Sequence, residues 1–267
     1  ITGSAGDDFI IGGAGSDTLR GLGGIDILQG GDGNDTLNDV AGSNLLDGGL
    51  SNDTLSDGAG NSLLVGGAGN DALFSGNGND VIAFNKGDGY DSVTLGAGSK
   101  TLSLGGSLAY SDLRLRKSGN DLVLDTGARQ GMAFKNWYVG TANQTVLNLQ
   151  IVAEAMADFD AGSADPLLNQ KVQEFDFTGL AAAFDAAREA TPGLTSWALI
   201  NGLSTFHLAA SDTAALGGDL AYQYGQNGTL AGIGATSARQ VIGEAGFGTQ
   251  AQVLRPLAGL QEGARLS

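Results

Sequence analysis

The chain contains no cysteine, so neither a disulfide framework nor a thiolate metal site can form. Its three prolines, Pro166, Pro192 and Pro256, all lie in the second half of the sequence, and His207 is its only histidine. Any Ser-His-Asp arrangement must therefore use His207, which follows the apolar face of an expected helix, where a packed or helix-end role suits it better. No apolar run approaches the length of a membrane span. Glutamate is missing from residues 1–95, which hold fourteen Asp against two basic residues, Arg20 and Lys86, and so carry −12 of the chain's net −16. A carboxylate held against its own turn needs the shorter Asp arm, so this absence is informative. Such an acidic segment argues against nucleic acid and anionic membrane as partners.

What is present over residues 3–83 is one nine-residue unit, repeated nine times without insertion or deletion. The blocks start at Gly3, Gly12, Gly21, Gly30, Asp39, Gly48, Asp57, Gly66 and Ser75. Position eight is always aliphatic: Ile10, Leu19, Leu28, Leu37, Leu46, Leu55, Leu64, Leu73 and Ile82. Position six holds Asp8, Asp17, Asp26, Asp35, Asn44, Asp53, Ser62, Asp71 and Asp80, and position four is Gly except at Ser51. Glycines at positions one, two and four permit the positive φ of a tight turn and leave carbonyl oxygens uncovered. With the Asp they form a set of hard oxygen ligands suited to Ca²⁺. Positions seven to nine, such as 36–38, are then a three-residue strand with its central side chain inward.

This G-G-x-G-x-D-x-U-x pattern resembles the calcium-binding nonapeptide of RTX (haemolysin-type) proteins. The resemblance implies a mainly β chain built on a parallel β-roll, a calcium-binding β-helix that holds several Ca²⁺ ions. The candidate ligands are Asp8, Asp17, Asp26, Asp35, Asp53, Asp71 and Asp80 with the turn glycines Gly12, Gly13, Gly15, Gly30, Gly31, Gly33, Gly48, Gly66, Gly67 and Gly69. It also implies a bacterial protein, secreted or held at the cell surface, that passes unfolded through the type I secretion machinery on an uncleaved C-terminal signal. A cysteine-free composition fits that route. The chain opens inside the repeat pattern at Ile1 and is expected to be the C-terminal part of something longer.

Two blocks make one coil, so alternate turns fall on opposite edges. One edge carries Asp17, Asp35, Asp53 and Asp71 in an unbroken line; the other runs Asp8, Asp26, Asn44, Ser62, Asp80. The two weakened blocks open with Asp39 and Asp57 in place of Gly, either substitute carboxylates or side-chain caps, and the expectation is an empty or weakened turn there.

After residue 83 the register is lost, and 84–93 reads as the closing turn of the roll with Asp88 and Asp91 as candidate last ligands. Residues 96–152 read as a β-strand cap, with alternating runs at 100–104, 113–116, 121–125, 131–134 and 146–152. Ser111-Asp112-Leu113-Arg114-Leu115, Asn120-Asp121-Leu122-Val123-Leu124 and Phe134-Lys135-Asn136-Trp137-Tyr138 resemble a domain found beside RTX repeats. Residues 153–267 read as a mixed, helix-rich region carrying the secretion signal. Helices are expected over 179–190, over about 195–209 from the three-residue spacing of Leu194, Trp197, Ile200, Leu203 and Phe206, and over 237–242 capped by Thr236. Residues 211–225 resemble the ends of long RTX surface proteins and exported toxins. Deletion of the residues after Gly246 is expected to block export while leaving the roll's calcium response intact.

Residues 158–165 have the look of a small oxygen-ligand loop, without the closing Glu of an EF-hand, since Asn169 stands in that place. Gly67-Ala68-Gly69-Asn70-Asp71-Ala72 fits a loose dinucleotide fingerprint, but the repeat accounts for its glycines and no βαβ unit surrounds it. The Asp residues of the roll are committed to metal, and no enzyme is expected. The function that follows is calcium-triggered folding of a secreted protein outside the cell, in an adhesin or surface-matrix protein. The alternatives are the export module of a pore-forming toxin or of a secreted hydrolase with its catalytic domain upstream. Self-association and a surface partner are both compatible with this reading.

Overall fold

A glycine turn followed by a short extended run carries the chain half way round, so residue i should stack on residue i+18. The computed structural model, which describes residues 1–267, has that register. β1 (Phe9–Ala14), β3 (Ile27–Asp32), β5 (Leu45–Leu50) and β7 (Leu63–Ala68) form a parallel sheet pairing Ile10 with Leu28, Leu28 with Leu46 and Leu46 with Leu64. β2 (Thr18–Arg20), β4 (Thr36–Asn38), β6 (Thr54–Ser56) and β8 (Ala72–Ser75) form the second sheet, stacking Leu19, Leu37, Leu55 and Leu73. All nine position-eight side chains are buried in a single core between the sheets.

The roll does not close at 84–95. β9 (Val81–Asn85) completes the nine blocks, and β10 (Tyr90–Leu95) and β11 (Lys100–Gly105) add a further coil, in which Val93 stands on Leu73 and Leu102 on Ile82, a step of twenty residues instead of eighteen. The two inserted residues hide one more repeat from the nine-residue frame: in Gly96-Ala97-Gly98-Ser99-Lys100-Thr101-Leu102, Lys100 holds the place of the Asp.

β12 (Arg114–Ser118), β13 (Asp121–Gly127), β14 (Gln130–Phe134) and β15 (Val146–Val152) occupy the expected runs, but they continue the roll's own sheets. β14 pairs parallel with β10 and is followed by antiparallel β13 and β12; β15 pairs parallel with β11. The exposed edge that a solenoid end would present is thus covered by strand addition. The rings of Phe134, Trp137 and Phe177, with centroids 5.6 to 6.1 Å apart, fill the core beyond the last coil.

Both sheets then take strands from residues 153–267. β16 (Val172–Asp176) adds antiparallel to β15, β17 (Trp197–Ala198) to β12, and β18 (His207–Ser211) to β16. α1 (Phe177–Ala190) lies close to its expected span, capped by the Asp176 carboxylate accepting from Gly179 N–H at 2.8 Å. The helix expected over 195–209 is absent: one turn, α2 (Ile200–Leu203), lies between β17 and β18. Two unpaired sheet edges claim this segment's backbone groups, and that pairing outweighs a three-residue apolar spacing. His207 accordingly packs in a sheet, its Nε2 2.8 Å from Gln173 Oε1 and its ring tilted against Phe175.

α3 (Gly218–Asn227) and α4 (Ala235–Ile242) cover the outer face of the first sheet. α4 starts after Gly234, so Thr236 lies inside its first turn and does not cap it. Ile27, Leu45, Leu63 and Val81 on that face form a second buried cluster with residues such as Leu220, Tyr224, Ile242, Phe247, Leu260 and Leu266. The residues after Gly246 are therefore part of the packing of the roll, and their deletion would uncover part of this outer cluster. No helix is long and apolar enough to cross a membrane.

Candidate metal centres on the two edges of the roll

Left-handed backbone recurs at position four of the turns, where φ is 103° at Gly15 and 125° at Gly33. Ser51 takes the same region at 81°, so the geometry survives the one departure from glycine. On the intact edge position one needs glycine for space: a Cβ at Gly48 or Gly66 would lie 2.5 Å from the Asp53 or Asp71 Oδ2 of its own block.

Beyond the first coil, each position-six carboxylate divides its two oxygens. On the intact edge Oδ1 accepts from the backbone N–H of the same position one coil earlier: Asp35 from Asp17 at 2.7 Å, Asp53 from Asp35 at 2.7 Å, Asp71 from Asp53 at 2.8 Å and Asp91 from Asp71 at 2.9 Å. Asp91 therefore extends the line by one coil. The second oxygens of Asp35, Asp53 and Asp71 are buried and have no hydrogen-bond partner. Burial pushes the carboxyls of Asp53 up to about 7, Asp71 to about 6 and Asp91 to about 9, with Asp35 raised for the same reason. A row of buried carboxylate oxygens without donors, beside uncovered turn carbonyls, is a donor set for a hard cation.

On the divergent edge the hydrogen-bond ladder is unbroken although its charges are not. Asp26 Oδ1 accepts from Asp8 N–H at 2.7 Å, Asn44 Oδ1 from Asp26 N–H at 2.9 Å, Ser62 Oγ from Asn44 N–H at 3.0 Å and Asp80 Oδ1 from Ser62 N–H at 2.9 Å. In the two weakened turns Asp39 and Asp57 each bring a carboxylate to the edge. Asp57 Oδ1 accepts from Ser62 Oγ at 2.8 Å, and the Oδ2 atoms of Asp26 and Asp39 converge where a Cβ of Gly21 would stand. The Oδ2 atoms of Asp26, Asp39 and Asp57 are again buried without a partner, and burial pushes the Asp39 and Asp57 carboxyls up to about 7.

Residues 1–28, 20–55 and 47–82 match the haemolysin-type family of RTX calcium-binding nonapeptide repeats. Residues 1–82 are RTX repeats. Such repeats imply calcium binding and are typical of secreted bacterial proteins, and the buried Asp of this RTX roll are consistent with calcium. A comparison of the whole chain with curated proteins gave no match.

The turns offer carboxylates singly or in pairs beside backbone carbonyls, and no three His, Cys, Asp or Glu side chains converge anywhere as a metal-holding group. Asp88 leaves the ladder: its Oδ2 accepts from Asn85 N–H at 2.6 Å and from Tyr224 O–H at 2.8 Å, so it anchors α3, and Asp91 alone joins the line of candidate ligands. The last turn of the divergent edge encloses a cation from the protein itself. The Lys100 ammonium donates to the carbonyls of Gly76, Gly78 and Ala97 at 2.9, 2.7 and 2.7 Å and faces Asp80 Oδ2 at 3.0 Å. A turn of this roll can therefore surround positive charge with oxygen.

The 158–165 loop spends its carboxylates locally. Asp158 Oδ2 accepts from Tyr110 N–H, Asp160 Oδ1 from Gly162 N–H and Asp165 Oδ1 from Leu167 N–H, at 2.8, 2.9 and 3.0 Å. The outer-face cover was missed in the sequence, yet its signal was there: position seven alternates between Ile27, Leu45, Leu63, Val81 and Thr18, Thr36, Thr54, Ala72. Only the first sheet has an apolar outside.

Proposed function

We propose that this chain is the calcium-folded module of a secreted or surface protein, unfolded during type I export and ordered outside the cell, with the export signal in residues 153–267. The observation that carries the reading is the line of buried Oδ2 atoms at Asp35, Asp53 and Asp71, each without a hydrogen-bond partner. Asp17, Asp35, Asp53, Asp71 and Asp91, with turn carbonyls of the intact edge, would hold the ions there; Asp8, Asp26, Asp39, Asp57 and Asp80 supply the carboxylates of the other edge. Carboxylates stacked at about 4.8 Å, the spacing of paired strands, repel by roughly 3 kcal/mol per neighbouring pair at an effective dielectric near 20. Calcium bound between them would turn this repulsion into attraction and, at millimolar concentration with a Kd near 10⁻⁴ M, would contribute roughly 1.4 kcal/mol per site. Where free calcium is sub-micromolar the same carboxylates oppose folding, and the chain stays exportable.

The likeness of residues 211–225 to the ends of long RTX surface proteins favours an adhesin or surface-matrix protein. The experiment is circular dichroism of the full chain in chelator and in millimolar Ca²⁺. Disorder across the roll in chelator, with cooperative recovery of β signal on adding calcium, is expected. Magnesium should fail as a substitute, because it demands a smaller octahedral shell and keeps its waters. Identical spectra in both conditions would end this reading.

A further inference from the structure

The register of β11 on β9 pairs Thr101 with Val81 and so sets Lys100 beside Asp80, in the slot that Asp80 itself fills one coil earlier. At that slot the side chain is wholly buried, although a lysine with any path to solvent keeps its ammonium wet. All three ammonium protons are used. They go to carbonyls at positions two and four of the preceding block, Gly76 and Gly78, and to Ala97 within the repeat that carries the lysine. The fourth neighbour is Asp80 Oδ2, which has no hydrogen bond of its own and meets the ammonium as a charge contact at 3.0 Å. An ordinary buried ion pair would satisfy lysine with carboxylate and side-chain acceptors. Here most of the shell is turn backbone.

We propose that the Lys100 ammonium takes the place of a calcium ion in the last turn of the divergent edge, so that this turn closes without metal, and that its removal converts the same oxygens into a divalent-cation site. The proposal rests on the calcium reading of the other turns. It also explains the position of the lysine, at the junction where β9 and β11 pass from the RTX segment into the sheets that continue through β15. A coil neutralised by its own chain is a template on which the calcium-dependent coils can stack.

The test is to count calcium ions on the full chain by native mass spectrometry and isothermal titration, in the wild type, in Lys100→Met and in Lys100→Asp, which restores the acidic residue at position six. If the wild type binds n ions, both variants are expected to bind n + 1. A wild type that binds no calcium overturns the underlying reading and is distinguished from failure of this inference by that result alone. Wild-type binding with n ions in both variants overturns the inference. So does a pair of variants that stay unfolded at every calcium concentration, because the inference requires calcium to serve where the ammonium stood.

Discussion

Substitutions at Asp53 and Ser62 separate the ligand role of position six from its ladder role. Asp53 sits mid-way along the intact edge, accepting from Asp35 N–H at 2.7 Å while its own N–H donates to Asp71 Oδ1 at 2.8 Å. Asp53→Ala orphans the buried Asp35 N–H, at about 1–3 kcal/mol, and removes a ligand shared by the two turns flanking it. At saturation each bound ion adds about 1.4 kcal/mol of stability for every tenfold rise in free calcium, so the loss of two ions lowers that slope by about 2.8 kcal/mol. Ser62 is also a ladder member: its Oγ accepts from Asn44 N–H at 3.0 Å and donates to Asp57 Oδ1 at 2.8 Å. Ser62→Ala should therefore cost a similar 1–3 kcal/mol, about the same at every calcium concentration, with no change of slope. Asp53→Asn keeps an acceptor for Asp35 N–H and should lose the slope with a smaller offset. The assay is urea unfolding of the three variants and the wild type across a series of buffered calcium concentrations. Equal slopes for Asp53→Ala and Ser62→Ala would refute this separation of ligand from ladder role.

Calcium-stripped protein should be more folded in mild acid than in mild alkali. The folded-state carboxyls of Asp39, Asp53 and Asp57 are raised to about 7 and that of Asp91 to about 9, above the about 3.9 of an unfolded Asp, so the calcium-free fold holds extra protons. Stability from these groups is complete below about pH 4 and is lost as the pH climbs through 7 towards 9; circular dichroism without calcium, giving the opposite order, would refute this. Deleting residues 247–267 removes Phe247, Leu260 and Leu266 from the outer cluster, and at about 1.5–3 kcal/mol per buried side chain should raise the calcium needed for folding. An unchanged calcium midpoint by fluorescence or circular dichroism would show that this cover contributes nothing.

The sequence by itself determined whatever depends on short-range rules. A nine-residue period specifies the turn glycines, the inward position-eight aliphatics and the half-coil register, because each block folds on its own neighbours and repeats the same geometry. The division of the Asp residues into an intact and a divergent edge follows from the same count, and the strands over 100–152 follow from their polar–apolar alternation. Tertiary structure decided what depends on partners distant in the chain. The three-residue apolar spacing from Leu194 to Phe206 promises a helix, yet two open sheet edges take Trp197 and His207 as strand residues. Asp88 looks like a ligand from its neighbours but is claimed by Tyr224, 136 residues away. Lys100 looks like an ordinary surface lysine until the two-residue insertion before it is allowed for, since only the stacking of β11 on β9 brings its ammonium among the carbonyls of Gly76 and Gly78. A local pattern states which groups need partners; the long-range packing chooses them.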